Sequence, residues 1–176
     1  MRRFDGKVAV VVGGGGIGGA SACRLAAEGA RVVVGDLQPE AARSIGETIT
    51  AAGGEALGMA CDIVDPVSVK ALFAAAVARF GGIDAVHVNA ADLQVIFQDS
   101  NAVEVSLEVF ERTLAVGLRG HLLCTQVAIP LLLARGGGAI VYTTSTASYG
   151  GEPERPCYAM AKAGVNALMR HVASRW

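Results

Sequence analysis

Residues 7–36 read KVAVVVGGGGIGGASACRLAAEGARVVVGD. KVAVVV at 7–12 is a continuous β-branched run, the pattern of a strand buried on both faces. A glycine cluster follows, then an Ala-rich helix that stops at Gly29. RVVVGD at 31–36 is a second buried strand, and it ends in an acid. Strand, glycine turn, helix and strand make one βαβ unit of about 30 residues. Glycines there let the backbone turn tightly and approach a pyrophosphate, which rests on the helix N-terminus. Gly14, Gly16 and Gly19 satisfy GxGxxG, and Gly13, Gly16 and Gly19 satisfy GxxGxxG, so two registers are open.

The alternation continues along the chain. A helix is expected over 39–52, a strand over 55–60, and a helix from Pro66 to the FGG at 80–82. A strand at 83–88 leads into a long loop, NAADLQVIFQDSNAVEVS. A long helix follows over about 106–134, then a strand at 138–144, a loop, and a last helix opened by Pro156. Apolar strands alternating with helices predict an α/β fold: a Rossmann-like, doubly wound parallel sheet in three α/β/α layers. The 176 residues read as one domain, with no linker or repeat. In such sheets ligands bind beyond the carboxyl ends of the strands. The glycine turn, Asp36, Asp62, Asn89 and Ser145 all fall there.

Composition excludes several classes. Fifteen basic against sixteen acidic side chains leave net −1, with no basic field for nucleic acid or an anionic membrane. No uncharged stretch reaches the roughly 18 apolar residues of a membrane span. The basic, apolar N-terminus imitates a signal peptide, but Asp5, Lys7 and the glycines fit strand and turn better. The four cysteines form no CxxC pair, and the three histidines no ligand spacing. Reduced, packed thiols in a cytoplasmic protein are expected, with no metal site. Cys157, beside Tyr158, is a weaker candidate for a reactive thiol.

Asp36 at the end of strand two is placed to accept hydrogen bonds from ribose hydroxyls. It would repel a 2′-phosphate, and Leu37, Gln38 and Pro39 offer no cation, so NAD is expected over NADP. YAMAK at 158–162 sets Tyr158 four residues before Lys162, on one helix face. An adjacent ammonium stabilises a phenolate and moves tyrosine's pKa, normally near 10, towards working pH. Ser145 ends strand five thirteen residues upstream, where its hydroxyl can converge with the phenol on one substrate oxygen.

In family order, the glycine turn, GD at 35–36, CDIVD at 61–65, NAA at 89–91, GAIVYTTS at 138–145 and YAMAK resemble the short-chain dehydrogenase/reductase family, single-domain type. The resemblance runs over the whole chain. It implies an oxidoreductase that interconverts an alcohol and a ketone or aldehyde by hydride transfer with NAD(H). Ser145, Tyr158 and Lys162 would be catalytic: Tyr158 as acid/base, Ser145 on the substrate oxygen, Lys162 beside the phenol and the nicotinamide ribose. Gly13, Gly16, Ile17, Gly18, Asp36, Asp62, Ile63, Asn89 and Ala90 would line the cofactor, joined by Tyr158 and Lys162. Homo-oligomers through the long helix and the tyrosine helix are implied, with a small-molecule substrate.

Four features depart from the family pattern. Val12 stands where the turn usually has threonine, and the turn is one residue shorter. VNAA at 88–91 replaces NNAG, so Ala91 would resist any positive φ. VGLRG puts Gly117 where an asparagine helps hold a proton-relaying water, which implies slower turnover. The family's last strands and substrate lid are expected to be lacking, which would leave strand five as an exposed edge. Two other readings compete: a non-catalytic or fragmentary NAD-binding relative, and a methyltransferase, which has no need of a YxxxK pair.

Overall fold

The computed structural model describes residues 2–176. Five parallel-sheet strands are named in chain order: β1 (Val8–Val12), β2 (Arg31–Asp36), β3 (Glu55–Ala60), β4 (Ala85–Val88) and β5 (Ala139–Tyr142). Their order across the sheet is β3-β2-β1-β4-β5. β1 pairs in parallel with β2 on one side, Val10 opposite Val33, and with β4 on the other, Val10 opposite Val86. The chain thus winds outward in both directions from β1, and the switch point lies between β1 and β4.

The helices are α1 (Ile17–Ala27), α2 (Pro39–Ala51), α3 (Pro66–Phe80), α4 (Leu93–Ile96), α5 (Leu107–Leu114), α6 (Gly120–Ala134) and α7 (Pro156–Arg175). Proline at the first helical turn opens α2, α3 and α7, where a missing N–H costs nothing. At α3 the Asp65 side chain also accepts from the Val67 N–H at 2.9 Å, capping the helix. Gly81, left-handed at φ 82°, ends it.

Why the strands are β-branched is visible in the burial. Val8, Val10, Val11, Val12, Val32, Val33 and Val34 are all at most 1 % exposed. Ala9, Val11, Val32 and Val34 pack with Ala22 of α1 and with Ala42 and Ile49 of α2. α3 lies on β1, β2 and β3 and brings Leu72 against Gly35. β3 has a weak strand sequence, EALGMA, for a specific reason. A Cβ at Gly58 would sit 2.0 Å from the Ala42 carbonyl oxygen, so α2 lies directly on that strand.

The contacts divide the chain into two compact units. One runs up to Ala90 and takes in Leu123–Val141; the other holds Ala91–Leu122 and Tyr142–Trp176. The first carries nearly the whole sheet and the glycine turn. The second packs α4 on α5, and α5 on α7.

Three local features differ from expectation. The loop after β4 contains the short helix α4, capped by Asp92, whose side chain accepts from the Val95 N–H at 3.3 Å. The long helix is not uniform: Ala115–Arg119, around Gly117, is a π-helical turn between α5 and α6. Ala91 needs no positive φ, since Arg155 is the only non-glycine residue described there. The run Leu107–Ala134 is long and apolar enough, by length and composition, to cross a membrane, yet it buries Thr113, His121 and Thr125 as core helices do. β5 is a sheet edge, with Val141 58 % exposed.

Candidate active site

The glycine turn is built by three close approaches. Gly13 has φ 94°, and a Cβ on it would lie 2.6 Å from the Ala90 backbone. Gly16 has φ 46° and opens α1 with no side-chain cap. At Gly18 a Cβ would sit 1.9 Å from the Gly13 carbonyl oxygen. Gly19 is close as well, with a Cβ 2.6 Å from the Gly14 oxygen. Geometry therefore requires glycine at Gly13, Gly16 and Gly19, the GxxGxxG register, and at Gly18 besides.

Asn89 joins the strand ends at the switch point. Its Nδ2 donates to the Gly13 oxygen at 3.0 Å and to the Gly15 oxygen at 3.3 Å. The backbone N–H groups of Asn89 and Ala90 both donate to the Val12 oxygen. Asp36 is fixed at both oxygens: Oδ2 accepts from the Gly14 N–H at 2.8 Å, and Oδ1 from the Gln38 N–H at 2.9 Å. The Asp62 N–H donates to Ser68 Oγ at 2.9 Å, and its Oδ1 accepts from the Val64 N–H at 3.0 Å. Ile63 is buried, whereas Ile17 is 63 % exposed at the start of α1. No Cβ placed on Gly15 or Gly16 would meet an atom within 4 Å. Open space at a helix N-terminus with no acid in its first turn, beside a fixed strand-end carboxylate, fits a dinucleotide.

The second unit positions Ser145, Tyr158 and Lys162. Tyr158 and Lys162 share a face of α7, with Lys162 Nζ 5.7 Å from the Tyr158 ring centroid. Lys162 is 1 % exposed, and its Nζ donates to the Thr143 oxygen at 2.7 Å. Burial pulls its pKa from 10.5 down to about 8. Ser145 starts a 3₁₀ turn, Thr146–Ser148, its Oγ accepting from the Ala147 N–H at 3.2 Å. The hydroxyl hydrogen remains available to donate. Ser148 ties this turn to α7: its Oγ donates to the Ser145 oxygen and accepts from Asn166 Nδ2 at 2.8 Å.

Some site neighbours carried no usable sequence signal. His121 is fully buried, with Nδ1 3.4 Å from the Val116 oxygen and its ring stacked on Tyr142 at 6.3 Å. Burial, and the Lys162 charge after it, push its pKa down to about 3, so the imidazole is neutral. Asp99, in the loop before α5, is buried and accepts N–H groups at the start of α7. Cys157 is fully buried, and burial and Asp99 push its thiol up to about 11, which makes it a packing residue. Among the described residues no His/Cys/Asp/Glu cluster could hold a metal.

A parallel sheet wound both ways from a glycine turn defines a Rossmann-like nucleotide-binding fold. Residues 7–176 match the family model described as short chain dehydrogenase. A probable short-chain type dehydrogenase/reductase of Bradyrhizobium diazoefficiens is 44 % identical, covering 100 % of this chain and 63 % of its own length. D-threitol dehydrogenase of Mycolicibacterium smegmatis is 37 % identical over 99 % of the chain and 66 % of its own length. Cyclohexanol dehydrogenase of an Acinetobacter species is 35 % identical, with 97 % and 67 % covered. The crystal structure of levodione reductase superposes with TM-score 0.93 at 31 % identity, covering 99 % of this chain and 67 % of that one. The chain belongs to the short-chain dehydrogenase/reductase family, whose matched members are named oxidoreductases. Family membership carries a nicotinamide cofactor, NAD or NADP. The chain spans about two-thirds of the length of these relatives, 63 % in the first.

Proposed function

We propose that the protein is an NAD(H)-dependent oxidoreductase interconverting an alcohol and a ketone or aldehyde, with Tyr158 as acid/base. The observation that carries this reading is the α7 pair: a fully buried Lys162, anchored on the Thr143 oxygen, beside the Tyr158 ring. When bound, the nicotinamide supplies or takes the hydride. Tyr158 gives the substrate oxygen its proton during reduction and removes it during oxidation. Ser145 donates a hydrogen bond to the same oxygen. Lys162 holds positive charge beside the phenol and would hold the nicotinamide ribose when the cofactor is bound.

Gly13, Gly16, Ile17 and Gly18 would carry the pyrophosphate, Asn89 and Ala90 the run towards the nicotinamide, and Asp62 and Ile63 the adenine. The fixed carboxylate of Asp36 favours a free ribose over a 2′-phosphate, hence NAD over NADP. Relatives named for threitol and cyclohexanol support small polyols and cyclic alcohols as substrates. The four free thiols suit a reducing, cytoplasmic setting.

A second copy is the proposed partner. Phe110, Leu114, Leu118, Leu122 and Leu168 line an open apolar groove of about 570 Å³ in the second unit. Glu111 and Arg119 border it, each four residues from Ala115. An antiparallel twofold pairing centred on Ala115 would set each Glu111 against the partner's Arg119.

The test is NADH oxidation by the purified chain against cyclic ketones and ketoses. Tyr158→Phe is expected to lower kcat about 10²–10⁴-fold while NADH still binds. Unchanged turnover in that variant would refute the role given to Tyr158.

A further inference from the structure

Helix α7 begins without a cap of its own. Its N-cap residue, Arg155, offers no side-chain acceptor and sits in the left-handed region at φ 61°, ψ 51°. Pro156 has no N–H. The N–H groups left to satisfy at this end are those of Arg155, Cys157 and Tyr158, because Ala159 already donates to the Arg155 oxygen at 3.0 Å.

All three are taken by two adjacent loop residues. The Tyr158 N–H donates to Asp99 Oδ2 at 2.8 Å, and the Cys157 N–H to Asp99 Oδ1 at 3.4 Å. The Arg155 N–H donates to the Ser100 oxygen at 3.0 Å. Asp99 is 3 % exposed, so its bonds do not exchange freely with water. Its charge also complements the positive end of the helix dipole.

The loop bearing Asp99 is itself held on both sides. Upstream, Asp92 Oδ2 accepts from Arg112 Nε at 2.8 Å, fixing the start of α4 to α5. Downstream, Asn101 Oδ1 accepts from the Val103 N–H at 3.0 Å. The Asp99 carboxylate is thus a fixed point against which the backbone of Tyr158 is set.

We propose that Asp99 is a positioning residue for Tyr158: its carboxylate clamps the tyrosine's own backbone N–H and so aims the phenol. This rests on the acid/base role given to Tyr158 above. The arrangement differs from an ordinary helix cap in where it acts. The clamped N–H belongs to the reacting residue itself, and the helix's own first residues supply no substitute.

Asp99→Ala and Asp99→Asn are compared by kcat and KM for the best carbonyl substrate, NADH affinity, and amide hydrogen exchange at Cys157 and Tyr158. Asp99→Ala is expected to lower kcat about tenfold to a hundredfold, as small misplacements of a catalytic group do, with NADH affinity unchanged. The two amides should exchange faster. Asn retains an acceptor for the Tyr158 N–H and should recover most of the loss, and it serves alone if the alanine variant does not fold. Unchanged kcat and unchanged exchange in Asp99→Ala would overturn the proposal. So would a loss of NADH affinity in step with kcat in a folded Asp99→Ala protein, because the effect would then not be confined to Tyr158. If the wild-type chain turns over no carbonyl, the acid/base reading fails and exchange decides the clamp: slow amides in Asp99→Ala overturn it.

Discussion

Replacing Lys162 by methionine should abolish turnover and make the cofactor-free protein more stable. A lysine 1 % exposed, with its pKa lowered from 10.5 to about 8 by burial, resists being charged in the fold. At pH 7 that resistance costs about 3 kcal/mol. Methionine removes the charge, fills similar space and gives up the 2.7 Å bond to the Thr143 oxygen, worth about 1 kcal/mol net. The expected gain at pH 7 is about 1–2 kcal/mol, or about 2–8 °C in Tm. The sign with pH is definite. Between pH 8 and 10.5 the unfolded chain holds a proton on this lysine that the folded chain does not. Wild-type stability therefore climbs relative to the variant across that window, and the penalty is complete below about pH 8. Urea unfolding of both proteins at pH 7 and at pH 10 reads this directly. A methionine variant less stable at pH 7, or a gap that does not narrow by pH 10, refutes the reasoning.

Other expectations follow from single contacts. Gly13→Ala, at φ 94° and 2.6 Å from the Ala90 backbone, should cost about 2 kcal/mol or more and weaken NADH binding, read by urea midpoint and titration. Gly117→Asn restores the side chain the family pattern carries; its Cβ lies 3.2 Å from the Ala161 Cβ, so a small adjustment admits it. Turnover should rise, and a fall in kcat with unchanged fold would count against the relay argument. Glu28, 5 % exposed, is bonded by Arg3 and by Arg24 Nε at 2.6 Å; chiefly the Arg3 bond holds its carboxyl at about 2. Its contribution is present above pH 4.5 and is lost as pH falls towards 2. Glu28→Gln should therefore lower Tm at pH 7 and match wild type near pH 2.

The order of strands and helices was legible because each rests on local chemistry. Val-rich runs make doubly covered strands, and Pro39, Pro66 with Asp65, and Pro156 open helices where sequence rules put them. Tyr158 and Lys162 were legible as a pair because helical spacing alone brings them together. What stayed hidden depends on distant partners. Asp99 reads as a loop acid until α7 arrives fifty-nine residues later. His121 reads as one of three scattered histidines until burial makes it neutral. The π-helical turn at Gly117 and the left-handed Arg155 carry no local signature, since neither residue type demands that conformation. The glycine turn needed coordinates, because six nearby glycines satisfy several patterns and only φ and backbone approach show which of them must be glycine.

The most direct measurement is a fluorescence titration of the purified chain with NADH and, alongside, NADPH. Saturable NADH binding at least about tenfold tighter than NADPH, or about 1.4 kcal/mol, is the expected result. That preference should shrink in Asp36→Ala. Absence of binding by a folded chain, or equal affinity for the two cofactors, would contradict the role assigned to the glycine turn and Asp36.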